Sequence, residues 1–197
     1  MKHIPLLPKE EADPELREAW DAMRFDLAIF HVWAHAPQAF LKYILFNRTV
    51  WQEEADGMPL LLKEMAVVHA SVLANSSYEW GNHAVSMLRR GGSQAQLEAI
   101  ITGDLDSDVF DETEKLVLQF TNEVVLDGRP AEPTLTAMSK KFTHRQLTQL
   151  VFGICAYMTN SRLASLGGCE IGDDEAYGLK TVPTELRDRL LEIADRS

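Results

Sequence analysis

The sequence predicts an all-α fold built as a single-domain helical bundle, and three observations carry that expectation. No stretch shows convincing alternation of apolar and polar residues with the period of two that a half-buried strand requires. Apolar residues recur instead at three- and four-residue spacings in one segment after another. These segments are punctuated by helix-start signals, Ser93-x-x-Gln96, Asp111-x-x-Glu114 and Thr143-x-x-Gln146, and by glycine stops at Gly91-Gly92, Gly103 and Gly167-Gly168. In such a start signal the first residue caps the opening turn, and the residue three places on reaches back to the capping amide.

Taken in order, residues 1–13 read as an extended lead-in containing Pro5 and Pro8. A helix opens near Pro14, where a proline costs nothing because the first amides have no intrahelical partner, and Leu16, Trp20 and Met23 share its face. Residues 29–35 form a short apolar segment that Pro37 interrupts before opening the next helix, with Phe40, Leu41, Ile44, Leu45 and Val50 as its stripe. Gly57-Met58-Pro59 ends that helix. Pro59 to Ala74 is apolar nearly all round, as expected of a central helix packed on several sides. The following helix runs from Ser76 or Ser77 to Arg90, with arginines in its last turn complementing the helix dipole. A short helix from Ser93 to Gly103 comes next, followed by an acidic loop over 104–108. Beyond it are a helix carrying Leu116, Val117, Phe120 and Val124, and a short one from Pro133 to Lys141. A long apolar helix from Thr143 to about Leu166 completes the expected domain, 14–171. Residues 172–197 read as an acidic loop and a small amphipathic helix from Thr184 to Ala194.

Composition narrows the function classes. A chain of 197 residues with 46% hydrophobic and 25% charged residues is long enough to bury a core of ordinary globular make-up. Its net charge of −11 argues against nucleic acid or an anionic membrane as partner. No run approaches the ~18 apolar residues of a membrane span, and the first residues lack the apolar core of a secretory leader. A cytoplasmic protein is expected. Cys155 and Cys169 lie fourteen residues apart with no C-x-x-C, which fits reduced structural thiols rather than a disulfide framework or a zinc site.

The chemistry concentrates where the central helix breaks at Asn75-Ser76. Glu64 lies before the break, and Tyr78, Glu79, Trp80 and His83 lie after it. Glu79 and His83 are four apart, so on a helix they share one face, and a carboxylate beside an imidazole is an acid/base pair or a proton relay. Each member also has a structural reading. Ser76-x-x-Glu79 is itself a capping box, Glu64 is an acid near a helix start, and Arg89, Arg90 and Arg162 read more readily as solvated helix-end arginines than as carboxylate ligands. His31 and His35 are spaced as a metal pair, but no third ligand accompanies them, and no metal is expected. His69 and His144 carry no expected role.

The string from Glu64 through Ser76, Ser77 and Tyr78-Glu79-Trp80-x-x-His83 to Arg89-Arg90-Gly91-Gly92 resembles the carboxymuconolactone decarboxylase-like superfamily, which includes the alkylhydroperoxidase D type of enzyme. The lead-in Ile4-Pro5-Leu6-Leu7-Pro8, the Ala34-His35-x-Pro37 segment and the stretch Gln146 to Gly167 resemble it as well, so the likeness spans most of residues 4–170. In the redox members a dithiol follows the glutamate. Counting from Glu64, its two positions fall on Ser76 and Glu79, and the histidine position falls on His83. The chain is thus similar to the non-redox branch and lacks the thiolate and resolving thiol of a peroxide-reducing cycle.

The resemblance implies an alkylhydroperoxidase D-like helical fold and a homo-oligomer, trimer or hexamer. It also implies a lyase-like enzyme that uses no cofactor for decarboxylation or isomerisation of a small organic acid or lactone. Glu64, Glu79 and His83 would be catalytic, and Ser76, Tyr78 and Trp80 would bind substrate. The alternative is a ligand-binding or oligomeric structural protein of the same fold without chemistry.

Overall fold

The computed structural model of the protein describes residues 3–23, 25–174 and 178–194, with the side chains of 179, 180, 193 and 194 excepted. Among these residues there are ten α-helices and no strand. They are α1 (Pro14–Asp21), α2 (Ala28–Trp33), α3 (Pro37–Val50), α4 (Leu60–Leu73), α5 (Ser77–Arg89), α6 (Gln94–Thr102), α7 (Glu112–Leu126), α8 (Glu132–Lys141), α9 (His144–Gly167) and α10 (Thr184–Ala194). The lead-in is not wholly extended: Lys9–Glu11 form a 3-10 turn closed by Glu11 N–H on the Pro8 carbonyl. No described helix is long and apolar enough to cross a membrane.

Local chemistry sets the helix limits. Ser93, Asp111 and Thr143 each cap their helix reciprocally with Gln96, Glu114 and Gln146. Four helices stop on the same device, a residue of positive φ followed by an amide that reaches back five residues. Gly91, Gly103 and Gly168 supply it for α5, α6 and α9. At the end of α4 the residue is Asn75, with φ of 56°, and the Ser76 amide returns to the Ser71 carbonyl. Asparagine tolerates this conformation better than most side chains, so the central break is written into the sequence at that residue.

Helix α4 is the axis of the molecule, packed by α5, α6, α7 and α9. Every residue from Leu62 to Ser71 is buried, including Lys63, Glu64 and His69. Around it the main core gathers Met65, Val68, Trp80, Leu97, Ile100, Val117, Phe120, Leu150 and Ile154. A second, aromatic core under the N-terminal helices joins Leu16, Trp20, Phe30, Trp33, Phe40 and Tyr78. His31 and His35 tie the lead-in to this second core. His31 Nδ1 donates to the Leu7 carbonyl at 2.8 Å, and His35 Nε2 donates to the Pro5 carbonyl at 2.7 Å. Their spacing serves docking of the lead-in.

Buried His69 has no hydrogen-bond partner of normal geometry for either ring nitrogen. Burial lowers its pKa to about 4, partly offset by the nearby Asn122 side chain. An unfolded chain takes up this proton near the ordinary histidine value, so the folded state loses stability as pH falls from about 6.5 to about 4. The loss totals about 3 kcal/mol. Urea unfolding of wild type and His69→Leu across that range is expected to show their stability difference moving by this amount in favour of the variant at the acid end.

Candidate active site

A cavity of about 600 Å³ lies between the aromatic core and a small cluster that includes Trp51 and Tyr157. Trp33, Ile44 and Trp51 supply apolar wall. Glu64, Tyr78, Glu79, Asn82, His83 and Arg90 converge on it from α4, α5 and the turn that follows. This mixture of apolar wall and few convergent polar groups is the usual make-up of a small-molecule site.

Glu64 is the buried hub. Its Oε2 accepts from His83 Nδ1 at 2.7 Å, and its Oε1 accepts from Arg90 Nε at 2.9 Å. Ionised, the carboxylate only accepts, so Nδ1 carries the imidazole proton and Nε2 is the basic nitrogen of the neutral ring. Trp51 stacks on that ring at 5.2 Å, and Tyr157 meets it edge-on at 4.3 Å. A 2.8 Å bond from Trp51 Nε1 to the Tyr157 hydroxyl locks the two aromatics together. The Arg90 guanidinium lies 5.9 Å over the Trp51 ring and is one-third exposed, so it is a wall of the site rather than a free helix-end arginine.

Glu79 differs from every other capping glutamate or glutamine in the chain. Ser76 Oγ does accept from the Glu79 amide, at 3.5 Å, but the return half of the box is missing. The Glu79 side chain is 3% exposed, lines the cavity, and leaves Oε1 without a partner. Burial, reinforced by the neighbouring Asp174 carboxylate, raises its pKa to about 8. At neutral pH this carboxyl therefore holds its proton. A buried neutral acid beside a histidine oriented by a carboxylate is a donor and an acceptor of protons facing one space.

Of the six residues expected at the site, the structure brings Glu64, Tyr78, Glu79 and His83 to the cavity. Ser76 and Trp80 are not brought there. Ser76 is spent on the α5 cap, and Trp80 points a different way around the helix, into the main core. Tyr78 is buried with its hydroxyl accepting from the Ile29 amide at 3.3 Å, and burial pushes its phenol well above the usual range. Lining residues that sequence reasoning missed include Trp33, Asn47, Trp51 and Asn82, and Asp174 acts on the site from behind. Arg162 stays outside, exposed and bonded to the Met158 carbonyl. Cys155 is exposed, Cys169 sits in the aromatic core, and they form no disulfide. Neither lines the cavity. No cluster of three or more metal-ligating side chains occurs among the described residues.

No protein-family model and no curated protein sequence matches the chain. Solved structures do. An uncharacterized peroxidase-related protein from Ralstonia eutropha JMP134, described as an alkylhydroperoxidase AhpD core, superposes with a TM-score of 0.72 at 18% identity. The match covers 87% of this chain and 92% of that one. An alanine-for-cysteine variant of the debrominase Bmp8, in complex with 2,3,4-tribromopyrrole, superposes with a TM-score of 0.71 at 12% identity over 98% of both chains. The chain has the alkylhydroperoxidase D-like fold.

Proposed function

We propose that this chain is an acid/base enzyme acting without a cofactor on a small organic acid or lactone. It would move a proton at a carbon next to a carbonyl, in an isomerisation or a decarboxylation. The observation that carries the reading is the buried Glu79 carboxyl, whose Oε1 has no hydrogen-bond partner and whose pKa burial raises to about 8, on the same cavity as the histidine that Glu64 orients. In this scheme His83 Nε2 accepts the substrate proton and Glu79 delivers one, to the carbonyl oxygen or to the carbon that loses carbon dioxide. Trp33 supports a carbonyl-bearing substrate, because it lines the cavity and its buried indole N–H has no acceptor among the described residues. Arg48 lines the mouth together with Arg90 and suits a substrate carboxylate. Thiol chemistry fits poorly, since neither cysteine lines the cavity. Self-association is supported by the exposed apolar side chains of Leu45 and Phe152.

A direct test incubates the protein in D₂O with a panel of unsaturated acids, keto acids and lactone acids, and follows deuterium entry by proton NMR. The expected result is exchange or carbon dioxide release with one substrate class, lost in Glu79→Gln. Absence of exchange across the panel, or exchange unaffected by Glu79→Gln, would favour a binding protein of the same fold.

A further inference from the structure

Asp174 lies outside the helices and outside any sequence motif, yet it is 3% exposed and fully engaged. Its Oδ2 accepts from Asn82 Nδ2 at 2.9 Å, and its Oδ1 accepts from the Ala28 amide at 2.8 Å. Asn82 is on α5, three residues after Glu79 and one before His83, and Ala28 opens α2, which carries Ile29, Phe30 and Trp33 to the cavity. One carboxylate therefore joins two walls of the cavity from the C-terminal side. The chain on either side of it is anchored. The Glu170 amide donates to Asp173 Oδ2 at 2.8 Å, and Arg89 Nη2 donates to Thr181 Oγ1 at 3.0 Å. Gly178 has φ of +61°, and an added Cβ would lie 1.9 Å from Asn82 Oδ1, so the backbone is seated directly on the side chain that Asp174 holds.

Two acids thus share a buried region, one bonded by two donors and one with an unpartnered oxygen. A second carboxylate near the cavity disfavours charge on Glu79. We propose that Asp174 is a positioning residue, which fixes Asn82 and the start of α2 around the cavity and so sets the surroundings in which Glu79 acts. This rests on the reading of Glu79 as the acid of the site. The other titratable groups around Glu79 are Tyr43 from α3 and Tyr78 from α5. Both are held neutral by burial; Glu79 raises Tyr43 further, and Asp174 ahead of Glu79 raises Tyr78 further. His83 lies one turn on, bound to Glu64, with Tyr157 of α9 against its ring, and Arg48 and Arg90 line the same cavity. Of these, Asp174 is the group that penalises charge on Glu79 after burial itself.

The test is the carboxyl ¹³C titration of Glu79, assigned by its loss in Glu79→Gln, in full-length wild type and Asp174→Asn. The expected result is a wild-type midpoint near 8 that falls by at least one pH unit in the variant, a tenfold or greater loss of proton affinity. A variant that melts lower with the Glu79 midpoint unmoved would make Asp174 purely structural and overturn the proposal, while leaving Glu79 as the acid. A wild-type midpoint in the ordinary glutamate range would instead remove the reading on which the proposal rests, and the proposal with it. Should Asp174→Asn fail to fold, Asp174→Ser, with room for water at Asn82 and Ala28, gives the same readout. Failure of both to fold would likewise mark a structural residue and overturn the proposal.

Discussion

Glu79→Gln is expected to yield a protein that is more stable than wild type at neutral pH and inactive. The two effects have one origin. Folding carries the Glu79 carboxyl from water, where it ionises at the ordinary 4.5, into a site where it ionises at about 8. Because the folded pKa is raised, the penalty is absent below about pH 4.5 and grows as pH rises to about 8. At pH 7 it amounts to about 3 kcal/mol. Glutamine fills nearly the same volume without that titration, so the variant is expected to gain up to about 3 kcal/mol at pH 7 and nothing at pH 4.5. Loss of the proton donor is expected to lower turnover by a factor of about 10²–10⁴. Denaturant unfolding at the two pH values, beside a turnover assay, checks both signs. An ordinary capping glutamate would instead give a small stability loss of about 1 kcal/mol or less, with no pH dependence of this sense.

Glu64→Gln is the second substitution with a large expected effect, and it acts through a tautomer. Arg90 Nε can only donate, so it retains the amide oxygen, and the amide nitrogen must then face His83 Nδ1. That nitrogen donates as well, so Nδ1 has to become the acceptor and the imidazole proton moves to Nε2. The base that faces the cavity is lost without any change of shape. In the serine protease triad the corresponding carboxylate-to-amide change costs about 10⁴-fold in turnover, and a loss of about 10³–10⁴ is expected here. Weakening two charge-assisted bonds costs about 1–3 kcal/mol of stability. Nitrogen NMR of the His83 ring distinguishes the tautomers. Retention of the Nδ1-protonated form in the variant, or unchanged turnover, would remove Glu64 from the relay.

The helical frame was legible in the sequence because its signals are local. Capping pairs, glycine stops and prolines act within one turn, and they mark helix ends whatever the rest of the chain does. The site was legible only where it shares one helix face or one break, as with Glu64, Glu79 and His83. Ser76-x-x-Glu79 shows the limit of such reading. Its spacing is identical to that of Ser93-x-x-Gln96, which closes a full capping box, yet the second half stays open because burial draws the Glu79 side chain into the cavity. Trp80 follows the same logic, since only its direction around α5 separates a core residue from a cavity wall. Asp174 was not legible at all. It lies ninety-two residues from Asn82 in a stretch that reads as an acidic loop, and only the tertiary fold brings it there.

The measurement closest to the central claim is infrared difference spectroscopy of wild type against Glu79→Gln at pH 7, repeated at pH 9.5. The expected result is a protonated-carboxyl carbonyl band present in wild type at pH 7, absent from the variant, and lost in wild type at the higher pH. Absence of that band at pH 7 would mean that Glu79 is ionised in the folded protein. The cavity would then have no acid to pair with His83, and the acid/base account would be contradicted.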